Sequence, residues 1–240
     1  MPEATTYSLH PLDGAFERVT RAGEHLADLR ERIETVRRQQ QDSITVHFDP
    51  NPPHNTVVGF FTETFVTMRV GILIGEICYN LRSSLDYLIF ELAKLDFGST
   101  RNGTQFPIVD TKEDFELKKK RWLRGLNLAH IAAIERLQPY MGCNWTTALR
   151  DLSNRDKHRE FANIGGHSKA YIYTRITDSN FDSIDAPTRR TPHPVIGEVD
   201  VKVYVTSAIQ FADGAPIVDT LEVVKRNVAE TIEAFKTGFD

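Results

Sequence analysis

Apolar positions in the first part of the chain alternate spacings of three and four: Val19, Ala22, Leu26, Leu29, Ile33 and Val36. This 3.5-residue repeat predicts a helix from Asp13 to about Gln41 with one buried seam. Arg30, Glu31, Arg32, Glu34, Arg37 and Arg38 lie between the seam positions and face water. Ser43 to Phe48 alternates polar and apolar residues, and Thr56 to Val66 is rich in β-branched and aromatic ones. With the proline-containing segment between them they read as a hairpin. From Met68 to Leu95 the period becomes helical again. Ile74, Ile77, Cys78, Leu81, Leu85, Leu88, Ile89, Leu92 and Leu95 fall within an arc of about 120°. That stripe predicts a central helix with half its surface buried.

Asp96 to Asp110, with Gly98, Gly103 and Pro107, reads as a loop. Thr111 followed by Asp114 has the form of a capping box that opens a basic helix, interrupted at Gly125. A short helix from His130 to Gln138 stops at Pro139, and Asn144 caps another carrying Trp145, Ala148, Leu149 and Leu152. After Phe161 the period falls to two. Lys169 to Thr177 and Glu198 to Val205 read as antiparallel strands, joined by an exposed, proline-containing connection from Asp178 to Pro194. Leu221, Val224, Val228, Ile232 and Phe235 stripe a last helix capped by Asp219. The expected fold is a single α+β domain over residues 1–240, a helical bundle packed with an antiparallel sheet. Its helical parts are 13–41, 68–95, 111–155 and 219–237, and its strands fall within 43–66 and 161–211.

Composition narrows the function classes. The chain has 240 residues, 40% hydrophobic and 26% charged, which excludes a disordered or low-complexity protein. Its 29 basic and 33 acidic side chains give a net charge of −4. No overall field gathers nucleic acid or an anionic membrane, so any anion site is local. Cys78 and Cys143 are far apart and lack CxxC spacing, which points away from a disulfide framework or a zinc ribbon. The apolar run from Val70 to Ile77 is far shorter than the roughly 20 residues that span a bilayer. No basic and apolar leader opens the sequence, so the expected location is the cytoplasm, without a membrane partner.

Three polar constellations are candidates for chemistry. The first is the polar face of the central helix: Glu76, Asn80, Arg82, Ser83, Ser84, Asp86 and Glu91. Asn, Ser and Asp cost helix stability, so something other than propensity placed them there. Arg82 and Asp86, one turn apart, are spaced to pair. The second runs from Arg150 through Asn154, Arg155, Asp156, Lys157, His158 and Arg159. An imidazole beside cations can exchange protons near neutrality while the cations hold a phosphate. The same residues also suit a charged helix terminus with no catalytic role. The third is the basic run Lys118, Lys119, Lys120, Arg121 and Arg124 with Trp122, which suits either a polyanion or plain solvent, with Phe115, Leu117 and Trp122 facing inward. The histidines and carboxylates show no metal-ligand spacing, and no cofactor signature occurs.

Four strings taken together carry a resemblance: NLRSSLDYLIFELA at Asn80 to Ala93, QFPI at Gln105 to Ile108, IERLQPY at Ile134 to Tyr140, and LRDLSNRDKHRE at Leu149 to Glu160. They resemble an uncharacterised family of bacterial and phage proteins with NLRSxLDxL and NxDKHR motifs, a family that brings no established activity. A wider similarity is to HEPN-type domains, helical modules often found as ribonucleases that use an Arg followed by a His. Here seven residues separate Arg150 from His158 and two separate Arg155 from His158, spacings that depart from that motif.

Two readings stand open. One is a non-enzymatic binding or defence-associated interaction module, with a polar pocket between the NLRSSLD helix and the NRDKHR turn. There Asn80, Arg82 or Asp86 would come within hydrogen-bonding reach of Asn154 to Arg159, Asp156 included. The other, implied by the HEPN resemblance, is a metal-independent ribonuclease or phosphate-ester hydrolase using His158, Arg155 and Lys157. The expected partners are RNA or a phosphate-containing ligand, and a second copy of the chain through the N-terminal helix.

Overall fold

The computed structural model describes residues 10–43, 68–99, 102–157, 165–175, 188–193, 197–210 and 215–239. Six helices occur among them: α1 (Asp13–Ser43), α2 (Met68–Phe97), α3 (Lys112–Trp122), α4 (Leu128–Glu135), α5 (Asn144–Lys157) and α6 (Ile217–Lys236). A single 3-10 turn, Pro139–Met141, separates α4 from α5. The chain divides into two compact units, one built from residues 1–29, 68–163 and 217–240, the other from 30–67 and 164–216.

The helical unit is organised around α2. Ile74, Ile77, Cys78, Leu81, Leu85, Leu88, Ile89 and Leu92 are all fully buried, whereas Leu95 at the end of the expected stripe is 44% exposed. Burying one such side chain contributes about 1.5–3 kcal/mol, against well under 1 kcal/mol for each Ser or Asp in the helix. The stripe therefore holds the helix despite its polar face. Gly98, at a φ of 75°, ends α2 in the left-handed region, its N–H donating to the Lys94 carbonyl at 2.8 Å. α2 packs on α5 and α6, and α5 packs on α6. Near the start of α1, Gly14 approaches the Tyr87 ring so closely that a Cβ would lie 3.2 Å from its Cδ1. The seam of α1 is buried at Val19, Ala22, Leu26 and Leu29.

Capping follows the local sequence in part. Thr111 accepts from the Asp114 N–H at 3.1 Å, as the capping box requires. α4 begins at Leu128 rather than at His130, because Asn127 accepts from the His130 N–H at 2.8 Å and caps it. Asn127 is held in turn by Asp96, which accepts from its backbone N–H and from Nδ2, both at 2.8 Å.

The second unit holds a three-stranded antiparallel sheet, β1 (Gly165–Arg175), β2 (Thr188–His193) and β3 (Gly197–Gln210), in the order β1-β3-β2. Tyr171 pairs with Tyr204 and Thr191 with Val199. Part of the stretch expected to be an exposed connection, Thr188–His193, is strand: Pro192 is tolerated because β2 is an edge.

The expected α+β class is corrected by this arrangement. The described residues are mostly helical, and among the described residues of the unit that carries the candidate site there is no strand. The apolar stripes of α2, α5 and α6 pack against one another within the helical unit. Local pairing accounts for the alternating segments, which form a unit of their own. The hairpin expected over 43–66 lies outside the described residues, except that Ser43 closes α1. Among the described residues no helix is long and apolar enough to cross a membrane.

Candidate functional site

The polar face of α2 is spent on one loop. Asp86 Oδ1 accepts from the backbone N–H of Phe106 at 2.8 Å, and Arg82 Nη2 donates to the carbonyl of the same residue. Spacing of one helical turn brings both side chains to one residue of the loop, whose ring is fully buried. Burial pulls the Arg82 guanidinium below its ordinary pKa, and the neighbouring Asp86 charge opposes that shift.

Gln138 holds the next residues. It is fully buried, donates from Nε2 to the carbonyls of Pro107 at 2.9 Å and Ile134 at 3.0 Å, and accepts from the Val109 N–H at 3.1 Å. A loop without a strand or helix ladder needs such partners for its buried backbone groups. α4 ends at Glu135, and Gln138 sits in the turn just before Pro139 opens the 3-10 turn, where its amide reaches the loop. Arg150 fixes the far end, donating from Nη1 to Asp110 at 2.6 Å and from Nε to Asp151 at 2.9 Å. The bond to Asp110 is the main cause that holds the Arg150 pKa above its ordinary value, while burial opposes it.

Beside this pinned loop lies a cavity of about 510 Å³. α2 contributes Tyr79, Arg82, Ser83 and Asp86, and the loop contributes Gln105, Ile108 and Val109. Lys118 and Trp122 enter from α3, and Arg150, Ser153 and Asn154 from α5. The Lys118 ammonium sits 4.3 Å from the centroid of the Trp122 ring. Tyr79, Gln105 and Asn154 are exposed, so the space opens to solvent.

The structure thus brings Arg82, Asp86 and Asn154 to one cavity and leaves Asn80 out of its lining. Asn80 Nδ2 donates to the Glu76 carbonyl within its own helix at 2.8 Å. Ser84 is not on the polar face at all. It is fully buried and donates to the Leu81 carbonyl. Arg155, Asp156 and Lys157 belong to the last turn of α5, and His158 and Arg159 lie outside the described residues. Leu117, expected inward, is 65% exposed, while Phe115 is fully buried. Lys119 pairs with Glu116 at 2.5 Å, which holds that carboxylate below its usual pKa range. Among the described residues no group of three or more His, Cys, Asp or Glu side chains is placed to hold a metal.

Sequence reasoning did not assign roles to Gln138, Trp122 and Gln105 in a common site. For Gln138 the signal was present in IERLQPY, where a glutamine directly precedes a proline in a turn; nothing in the local sequence marked Gln105 or Trp122. No protein-family model, no curated protein and no solved structure matches this chain.

Proposed function

We propose that this protein acts as a binding module whose ligand occupies the cavity between α2, α3, α5 and the loop 105–110. One observation carries the reading: the cavity wall is preformed, because Arg82, Asp86, Gln138 and Arg150 fix the loop before any ligand arrives. A solvent-open space of about 510 Å³ falls in the range typical of small-molecule sites, about 300–1,000 Å³. Its lining mixes apolar surface from Ile108, Val109 and Trp122 with the polar groups of Ser83, Gln105, Ser153 and Asn154. A wall already held in position spends little of the binding energy on ordering.

The test is a fragment screen by ligand-observed NMR on the wild-type protein and on Ser153→Trp, which fills the cavity from α5. The reading expects several fragments to bind the wild type and to lose binding in the variant, whose helical circular dichroism is retained. Equal capture by both proteins, or none by either, contradicts it.

A further inference from the structure

We propose that the ligand of this cavity is an aryl anion, a planar aromatic ring joined to a negatively charged group, with the ring against Trp122 and the anion paired with Lys118. The proposal rests on the binding reading above and names its ligand class.

The charges facing the cavity lead to it. Asp86 and Arg82 are committed to the two backbone groups of Phe106. Arg150 is committed to Asp110 and Asp151. Lys118 is different. Among the described residues its ammonium has an indole face as partner, 4.3 Å from the ring centroid, and no carboxylate. A cation held against a ring is a weaker arrangement than the same cation donating to an anion. Trp122 is half-buried, so part of its ring stays accessible to the cavity.

A ligand that brings both a ring and an anion answers both groups at once. Its ring takes the indole surface and its anion takes the ammonium, which the flexible lysine stem can swing to meet it. A bare anion would leave the indole unused, and a neutral ring would leave the cation without a stronger partner. Carboxylate and phosphate are alternative forms of the same chemistry.

Isothermal titration calorimetry tests this with two probe sets on the full chain. The first is AMP with adenosine and inorganic phosphate. The second is 2-naphthoate with 2-naphthamide and acetate. At least one aryl anion is expected to bind about tenfold or more tighter than both its neutral-ring and its ringless counterpart, the scale of one charge-assisted hydrogen bond. It should also shift the indole N–H resonance of Trp122, assigned with Trp145→Phe. Lys118→Met should reduce its affinity to that of the neutral ring, and the set that wins identifies phosphate or carboxylate. Ringless anions binding as tightly as the aryl ones overturn the proposal. So does aryl-anion binding undiminished in Lys118→Met. If neither aryl anion binds while the wild type still captures neutral fragments that Ser153→Trp loses, the ligand class is wrong and the binding reading stands. Loss of all fragment capture defeats both.

Discussion

Arg82 and Asp86, one turn apart on α2, grip the carbonyl and the N–H of the same residue, Phe106. An acid and a base at helical spacing usually neutralise one another on a wet surface. Here each also replaces a backbone partner that the loop lacks. Asp86→Ala leaves the Phe106 N–H without its acceptor and Arg82 without its neighbouring charge, and is expected to cost about 1–3 kcal/mol of stability. Urea denaturation of Asp86→Ala, Arg82→Ala and the double variant checks it. Residues sharing one partner are coupled, so the double variant should lose less than the two single losses combined. Strict additivity would mean that they act separately.

Gln138 makes three hydrogen bonds from a fully buried amide. Gln138→Leu keeps the bulk and strands the Pro107 carbonyl and the Val109 N–H, while the Ile134 carbonyl keeps the Leu137 N–H. Each stranded group costs about 1–3 kcal/mol, so the loss should exceed that of Asp86→Ala. Hydrogen exchange locates the effect: the Val109 amide should lose protection more than amides at the centre of α6.

Asn127 caps α4 and ties it to Asp96. Asn127→Ala is expected to destabilise by about 1–2 kcal/mol, the upper part of the range for a cap with a second bond. Thermal melting measures this, and Asn127→Ser, which keeps a capping oxygen, should recover part of the loss.

Tyr140 donates its hydroxyl to Glu135 at 2.9 Å, and burial, then Glu135, raise its pKa above the ordinary 10.0. Above pH 10 the unfolded chain releases this proton while the folded chain keeps it. Stability from this group is therefore complete below that pH and declines as pH rises toward the folded value. Denaturation midpoints measured from pH 9 to 11 should fall with a steeper slope in the wild type than in Tyr140→Phe.

Much of the helical unit was legible in the sequence because a helix writes its buried face at a fixed interval. Ile74 to Leu92 and Leu221 to Phe235 are buried where the period places them. The α+β class was misjudged, since an alternating segment shows that one face is covered and not by what, while the described residues are mostly helical. Within the site, the paired spacing of Arg82 and Asp86 was readable, but their common target was not. Phe106 lies twenty residues beyond Asp86 in sequence, at a separation that periodicity does not reach. Asn80 and Ser84 share a polar composition with Arg82, yet one bonds within its helix and the other turns into the core. Composition cannot separate those cases, because the angle around the helix decides them.

The central claim is that the preformed cavity holds the ligand, and chemical-shift mapping of a captured fragment on isotope-labelled protein tests it most directly. The account predicts that the largest shifts fall on Ser83, Gln105, Lys118, the Trp122 indole and Asn154, and that Ser153→Trp abolishes them. Shifts concentrated away from α2, α3 and α5, or persisting unchanged in Ser153→Trp, would contradict it.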